Sequence, residues 1–139
     1  MLADVRTYPL WWPEVRSVQD LGDGGYLIVA RSRLPYDVRI VSRALGESRQ
    51  PGVIDASLSG DLEGYARWTL KASGAGCSLV YDQEVKTQKA MLNALAPVAR
   101  PAFRLNHSLM MSHGQAGLRI FLAGYSRAAS RMREMRSGG

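Results

Sequence analysis

From Val15 to Thr87 apolar and polar residues alternate in short runs, and after Pro101 the apolar period lengthens to steps of three and four. The first pattern predicts six strands: Val15 to Asp20, Tyr26 to Leu34, Tyr36 to Leu45, Val53 to Ser59, Leu62 to Ala72 and Cys77 to Thr87. Turn compositions separate them, as at Gly22-Asp23-Gly24-Gly25, Gly46 to Gly52, Gly60-Asp61 and Ser73-Gly74-Ala75-Gly76. Each connection is too short for a crossover helix, so the strands form an antiparallel meander. The second pattern predicts an amphipathic helix over Pro101 to Tyr125, roughly 37 Å long. Phe103, Asn106, His107, Met110, His113, Gly114, Gly117, Leu118 and Phe121 share its front, and Arg104, Ser108, Ser112, Gln115 and Arg119 fall mostly behind. The fold class is therefore α+β, with a sheet first and a long helix last.

The flanks are less regular. Between Asp4 and Val15, Pro9 and Pro13 bracket at most one turn of helix. Adjacent tryptophans cannot face the same way on a regular element, so one of Trp11 and Trp12 is expected in the core and the other at a rim. The segment 88–100 is helix-like at Met91, Leu92 and Leu95, and Pro97 and Pro101 are expected to kink it or split off a short leading helix. Residues 126–139 read as a loose basic tail, and residues 1–125 as one domain.

Composition narrows the class. Hydrophobic residues make up 46% and charged residues 22%, which excludes a disordered or fibrous chain. No apolar run is long enough to span a bilayer, and the Met1-Leu2-Ala3-Asp4 start is not a signal peptide, so stable membrane insertion is not expected. Cys77 is the sole cysteine, which excludes an internal disulfide and fits a reducing, cytoplasmic compartment. The net charge of +6 is spread along the strands and concentrated only at Arg127, Arg131, Arg133 and Arg136. Without aromatics among those arginines, neither a nucleic-acid partner nor attraction to acidic lipid is expected.

Candidate chemistry comes from the inner faces. Gly64, Ala66, Trp68 and Leu70 oppose Glu63, Arg67 and Lys71, while Leu79, Tyr81, Gln83 and Val85 oppose Asp82, Glu84 and Lys86. The small Gly64 and Ala66 beside the large Trp68 leave room either for a cavity or for the helix itself. Asn106, His107 and His113 on the helix, and Tyr36, Ser42, Tyr81 and Gln83 on strands, bring polar groups to the apolar side. They either satisfy nearby backbone or orient a ligand in a pocket. His107 and His113 are six apart, so a zinc pair on one helical face is not expected, and no cofactor or metal is. Asp55, Glu63, Asp82 and Glu84 alternate toward solvent, and no phosphate loop or nucleophile elbow is present. Met110 suits a pocket that adapts to its contents.

The segments DVRTYPLWWPEV, LSGDLEGYARWTL with GAGCSLVYDQEV, and RPAFRLNHSLMMSHGQAGLRIFL, in that order, resemble the polyketide cyclase/dehydrase and lipid-transport group of the START-like (SRPBCC, helix-grip) superfamily. The resemblance covers roughly residues 4–122. It implies a sheet curled around the C-terminal helix with an apolar cavity between them. Trp11, Trp12 and Pro13 would correspond to the small lid at the cavity mouth, and Asn106, His107, Met110, Gly114, Gly117 and Leu118 carry the helix motif. Members of the group normally begin with a strand ahead of the Tyr-Pro-x-Trp-Trp-Pro segment. Here Met1 falls only seven residues before Tyr8, so either the start is miscalled or the chain is truncated. A true lack would leave a sheet edge unpaired and favour a homodimer or poor stability.

Together these readings lead to an expected function: binding or transport of a small hydrophobic or aromatic molecule, such as a lipid, a quinone or a polyketide-like ring system. The expected lining is Trp12, Trp68, Tyr81, Phe103, Asn106, His107 and Met110. The enzyme alternative is an aromatase, cyclase or dehydratase with His107 or Tyr81 as proton shuttle. A third reading is an interaction module with a vestigial cavity.

Overall fold

The computed structural model describes residues 2–31, 36–46, 50–74, 76–87 and 90–137, with side chains of the last segment described for 101–133 and 135. A 3-10 helix over Val5–Leu10 leads into six strands: β1 (Val15–Asp20), β2 (Gly25–Arg31), β3 (Asp37–Ala44), β4 (Val53–Gly60), β5 (Leu62–Ser73) and β6 (Gly76–Thr87). One helix, α1 (Ala90–Ser137), follows. The strands form a single antiparallel sheet in the order β1-β2-β3-β4-β5-β6, so the expected meander and the α+β class are what the chain adopts. Leu34 and Pro35, expected to close β2, and the 47–49 part of the following turn lie outside the described residues.

Two devices curve the sheet. The β1–β2 register shifts between Val15 and Ser17, a bulge that adds local twist. Gly64, at φ +155°, lets β5 run so close to β6 that a side-chain carbon would overlap the carbonyl oxygen of Glu84. Its smallness thus serves the approach of two strands. In the long β5–β6 ladder Trp68 stands opposite Tyr81 and Ala66 opposite Gln83. Ala66 and Trp68 are buried while Glu63, Tyr65 and Arg67 are exposed, as the alternation predicts. The outer face carries exposed ion pairs such as Arg67 Nε to Asp55 Oδ1 at 2.6 Å.

The core departs from expectation at the tryptophans. Trp11 and Trp12 are both buried, 4% and 7% exposed, and their rings stack with centroids 5.4 Å apart and planes 22° apart. Neither sits at a rim. The premise fails because they lie on no regular element: Trp11 caps the 3-10 helix with φ −135° and ψ −13°, and this kink turns both indoles inward. The 3-10 helix itself precedes Pro13 and contains Pro9. With Val15, Trp68 and Leu118 the two indoles form the buried cluster, against which Tyr8, Leu79, Tyr81, Met111 and Phe121 pack.

The helix is longer than its periodicity predicts. It runs without interruption through Pro97 and Pro101 and on to Ser137, about 72 Å. The prolines sit four apart, so they remove two donors along one line of the helix, and neither splits off a leading helix. The basic segment read as a loose tail is helical to Ser137. Its apolar positions have no described part of the sheet to pack against and are spaced among arginines, which is why amphipathicity marked an earlier end.

Candidate functional site

The stretch Tyr8 to Glu14 ties the helix to the sheet. The Trp12 Nε1–H donates to the carbonyl of Met110 at 3.0 Å. A side-chain carbon on Gly114 would stand 2.7 Å from Trp12 Cε2, and one on Gly117 would overlap the Trp11 carbonyl oxygen. The two glycines thus let α1 descend onto the tryptophans. Beside them His113 Nδ1 lies 2.5 Å from Glu14 Oε1, with the Glu14 side chain only 12% exposed. His113 therefore belongs to this clasp and borders none of the cavities.

Around the clasp, sheet and helix stand apart and enclose two adjoining spaces. The larger, about 820 Å³, is lined chiefly by apolar groups of β2, β3, β4 and β6, including Ile28, Val38, Ile40, Leu58 and Val85, and is closed by Phe103, Met110 and Met111 of α1. Its polar groups come from Tyr8, Tyr36, Tyr81, Gln83, Lys86, Thr87, Asn106 and His107. The second, about 740 Å³, lies toward the start of β6 and is more polar, with Ser78, Ser108, Ser112, Gln115 and Arg119 beside Trp11, Trp68 and Leu118. Trp12, Tyr81, His107 and Met111 border both. Trp12 and Tyr81 meet edge to face at 6.1 Å and form the partition.

Below the partition a hydrogen-bonded relay fixes the aromatic floor. Trp68 Nε1–H donates to the Tyr8 hydroxyl at 3.0 Å, and that hydroxyl donates to the Leu2 carbonyl at 3.0 Å. Burial raises the Tyr8 pKa to about 12, opposed in part by the Trp68 hydrogen bond. The Tyr81 pKa is also raised, mainly by burial and further by Tyr8. Both phenols are neutral near pH 7 and present O–H groups to an apolar setting. The Tyr81 ring lies 4.3 Å from Trp68, centroid to centroid.

Of the residues expected to line a pocket, Trp12, Tyr81, Phe103, Asn106, His107 and Met110 border the larger cavity, whereas Trp68 borders the second one and a small space between the N-terminal segment and the sheet. Tyr36 and Gln83 reach the larger cavity as well, while Ser42 is buried beside the small space. The Asn106 side-chain N–H donates to the Met110 thioether Sδ at 3.6 Å, one turn along. Val85 reads as an inward position from its alternation with Glu84 and Lys86. Tyr8 and Glu14 carried no such signal, because their partners lie 60 and 99 residues away in the chain.

Asp55 pairs with Arg67, and Glu63, Asp82 and Glu84 are exposed, so among the described residues no carboxylate pair faces either large cavity. Among the described residues no group of three His, Cys, Asp or Glu could hold a metal ion. No helix among them is long and apolar enough to cross a membrane. Neither a family model nor a curated protein matches the sequence.

Proposed function

We propose that the chain is a helix-grip protein of the START-like kind, and that it binds or carries a small hydrophobic or aromatic molecule in the larger cavity. The observation that supports this reading most is the lining: apolar side chains from all six strands and the helix surround about 820 Å³, with polar groups interspersed among them. A space of that size suits a drug-sized ligand, such as a lipid chain, a quinone or a fused-ring polyketide. Apolar walls supply the affinity, and Asn106, Gln83 and the Tyr81 hydroxyl fix the orientation of a carbonyl or hydroxyl on the ligand. Because Trp12 stands in the wall, the test is a fluorescence titration with a naphthoquinone. Saturable quenching supports the reading. Quenching that rises linearly with quinone, as from collisions alone, counts against it.

A second reading, a cyclase or dehydratase, is favoured by one feature: His107, a side chain able to serve as a general acid or base, borders both cavities. His107→Gln separates the two. A carrier keeps most of its affinity in that variant, whereas an enzyme of this kind loses turnover.

A further inference from the structure

Phe121 is the last described residue of α1 that packs on the core, yet the helix continues to Ser137, about 24 Å further. Along that extension Phe121, Tyr125, Ala128, Met132 and Met135 follow one another at steps of four, three, four and three. They make a single stripe that continues the packed face of Gly114 and Leu118. Nothing described covers it: Tyr125 is 70%, Met132 61% and Met135 81% exposed. Arg127, Arg131 and Arg133 are exposed on the flanks of the stripe. In the sequence Glu134 alone opposes these three and Arg136.

We propose that the C-terminal stretch of α1 is a membrane-surface helix. It lies in the interface of an anionic bilayer, with Tyr125, Met132 and Met135 among the upper acyl chains and Arg127, Arg131 and Arg133 on lipid phosphates. The charge selects this occupant. An apolar stripe bordered by unopposed arginines matches a surface that is apolar below and negative above. A second copy laid along the same stripe would bring arginine flanks together, and the stripe spans too few heptads for a stable coiled coil. A nucleic acid would satisfy the arginines and leave Tyr125, Met132 and Met135 in water. The arginines also keep the helix from burying itself across a bilayer, consistent with its lack of a spanning segment. The proposal stands apart from the cavity and does not depend on its contents.

The test is co-sedimentation of the full chain with vesicles of phosphatidylcholine alone and of phosphatidylcholine with phosphatidylserine. The expected result is binding to the anionic vesicles only. Met132→Gln with Met135→Gln, and separately Arg131→Gln with Arg133→Gln, each weaken it by about tenfold or more. All four residues are exposed, so the variants retain the fold, which circular dichroism verifies. No binding to anionic vesicles overturns the proposal, as does full binding by the methionine variant. A dimer in sedimentation that the methionine variant abolishes, without vesicle binding, overturns it in favour of a second copy. A salt-sensitive complex with an RNA oligonucleotide but none with vesicles overturns it in favour of nucleic acid.

Discussion

Trp12 and Gly114 are fitted to one another: the indole occupies the space a side chain at 114 would need, with Cε2 standing 2.7 Å from where that carbon would be. From this position the ring also donates to the Met110 carbonyl and walls off the larger cavity from the second. One residue thereby holds the helix at its distance from the sheet and shapes the space between them.

The glycines are the sharpest place to test that fit. Gly117→Ala forces its new methyl against backbone, the Trp11 carbonyl, so the 3-10 segment or the helix must shift. Overpacking of this kind costs about 1–3 kcal/mol, and the backbone contact puts Gly117→Ala at the upper end. Gly114→Ala meets only a ring, but a ring stacked and buried, and is expected to destabilise by a similar or smaller amount. Urea unfolding of the two variants against the parent measures both.

Removing the indole donor asks how much the partition contributes. Trp12→Phe loses the hydrogen bond to Met110 and part of the ring, and as a helix carbonyl the Met110 oxygen keeps its bond along α1. The expected loss is about 1–3 kcal/mol, by the same unfolding measurement. In Trp12→Ala the partition itself is gone, and the two cavities open into one. A fused-ring ligand too long for the parent cavity is then expected to bind, which fluorescence competition with the naphthoquinone reads.

Alkaline pH tests the buried phenols. Tyr8 titrates at about 12 in the folded chain against about 10 when unfolded, so the folded state holds its proton more tightly. The stability this contributes is fully present below about pH 10 and is lost as pH rises toward and through about 12. Tyr81, raised by burial in the same way, adds a loss of the same sign. Unfolding midpoints are therefore expected to fall across that interval. Tyr8→Phe, already weaker for want of its Trp68 bond, should show a shallower fall. A Tyr8→Phe slope equal to that of the parent contradicts the assignment.

The strand alternation and the helical period were enough to read the sheet order, the inward faces of β5 and β6, and the helix residues Phe103, Asn106 and Met110 that meet the cavity. Those features are local, since neighbours in sequence set the period. What escaped was non-local or irregular. The inward turn of both Trp11 and Trp12 depends on one non-helical residue at the end of a 3-10 helix, and neither period applies there. Gly64 looked like room for a cavity because a missing side chain reads the same whether the space holds ligand or a neighbouring strand. The pairing of Glu14 with His113 joins opposite ends of the chain. The helix past Tyr125 was hidden because it has no sheet to pack against, and its apolar positions are spaced among arginines.

The proposed function requires that the larger cavity hold a small molecule. Native mass spectrometry of the chain purified from its own host tests this most directly, beside a Val85→Trp variant whose indole fills the space next to Tyr81 and Gln83. The expected result is a non-covalent adduct of small mass on the parent chain, identified by extraction as a lipid, quinone or aromatic compound, and absent from Val85→Trp. An adduct on neither chain, or one retained equally by both, would contradict it.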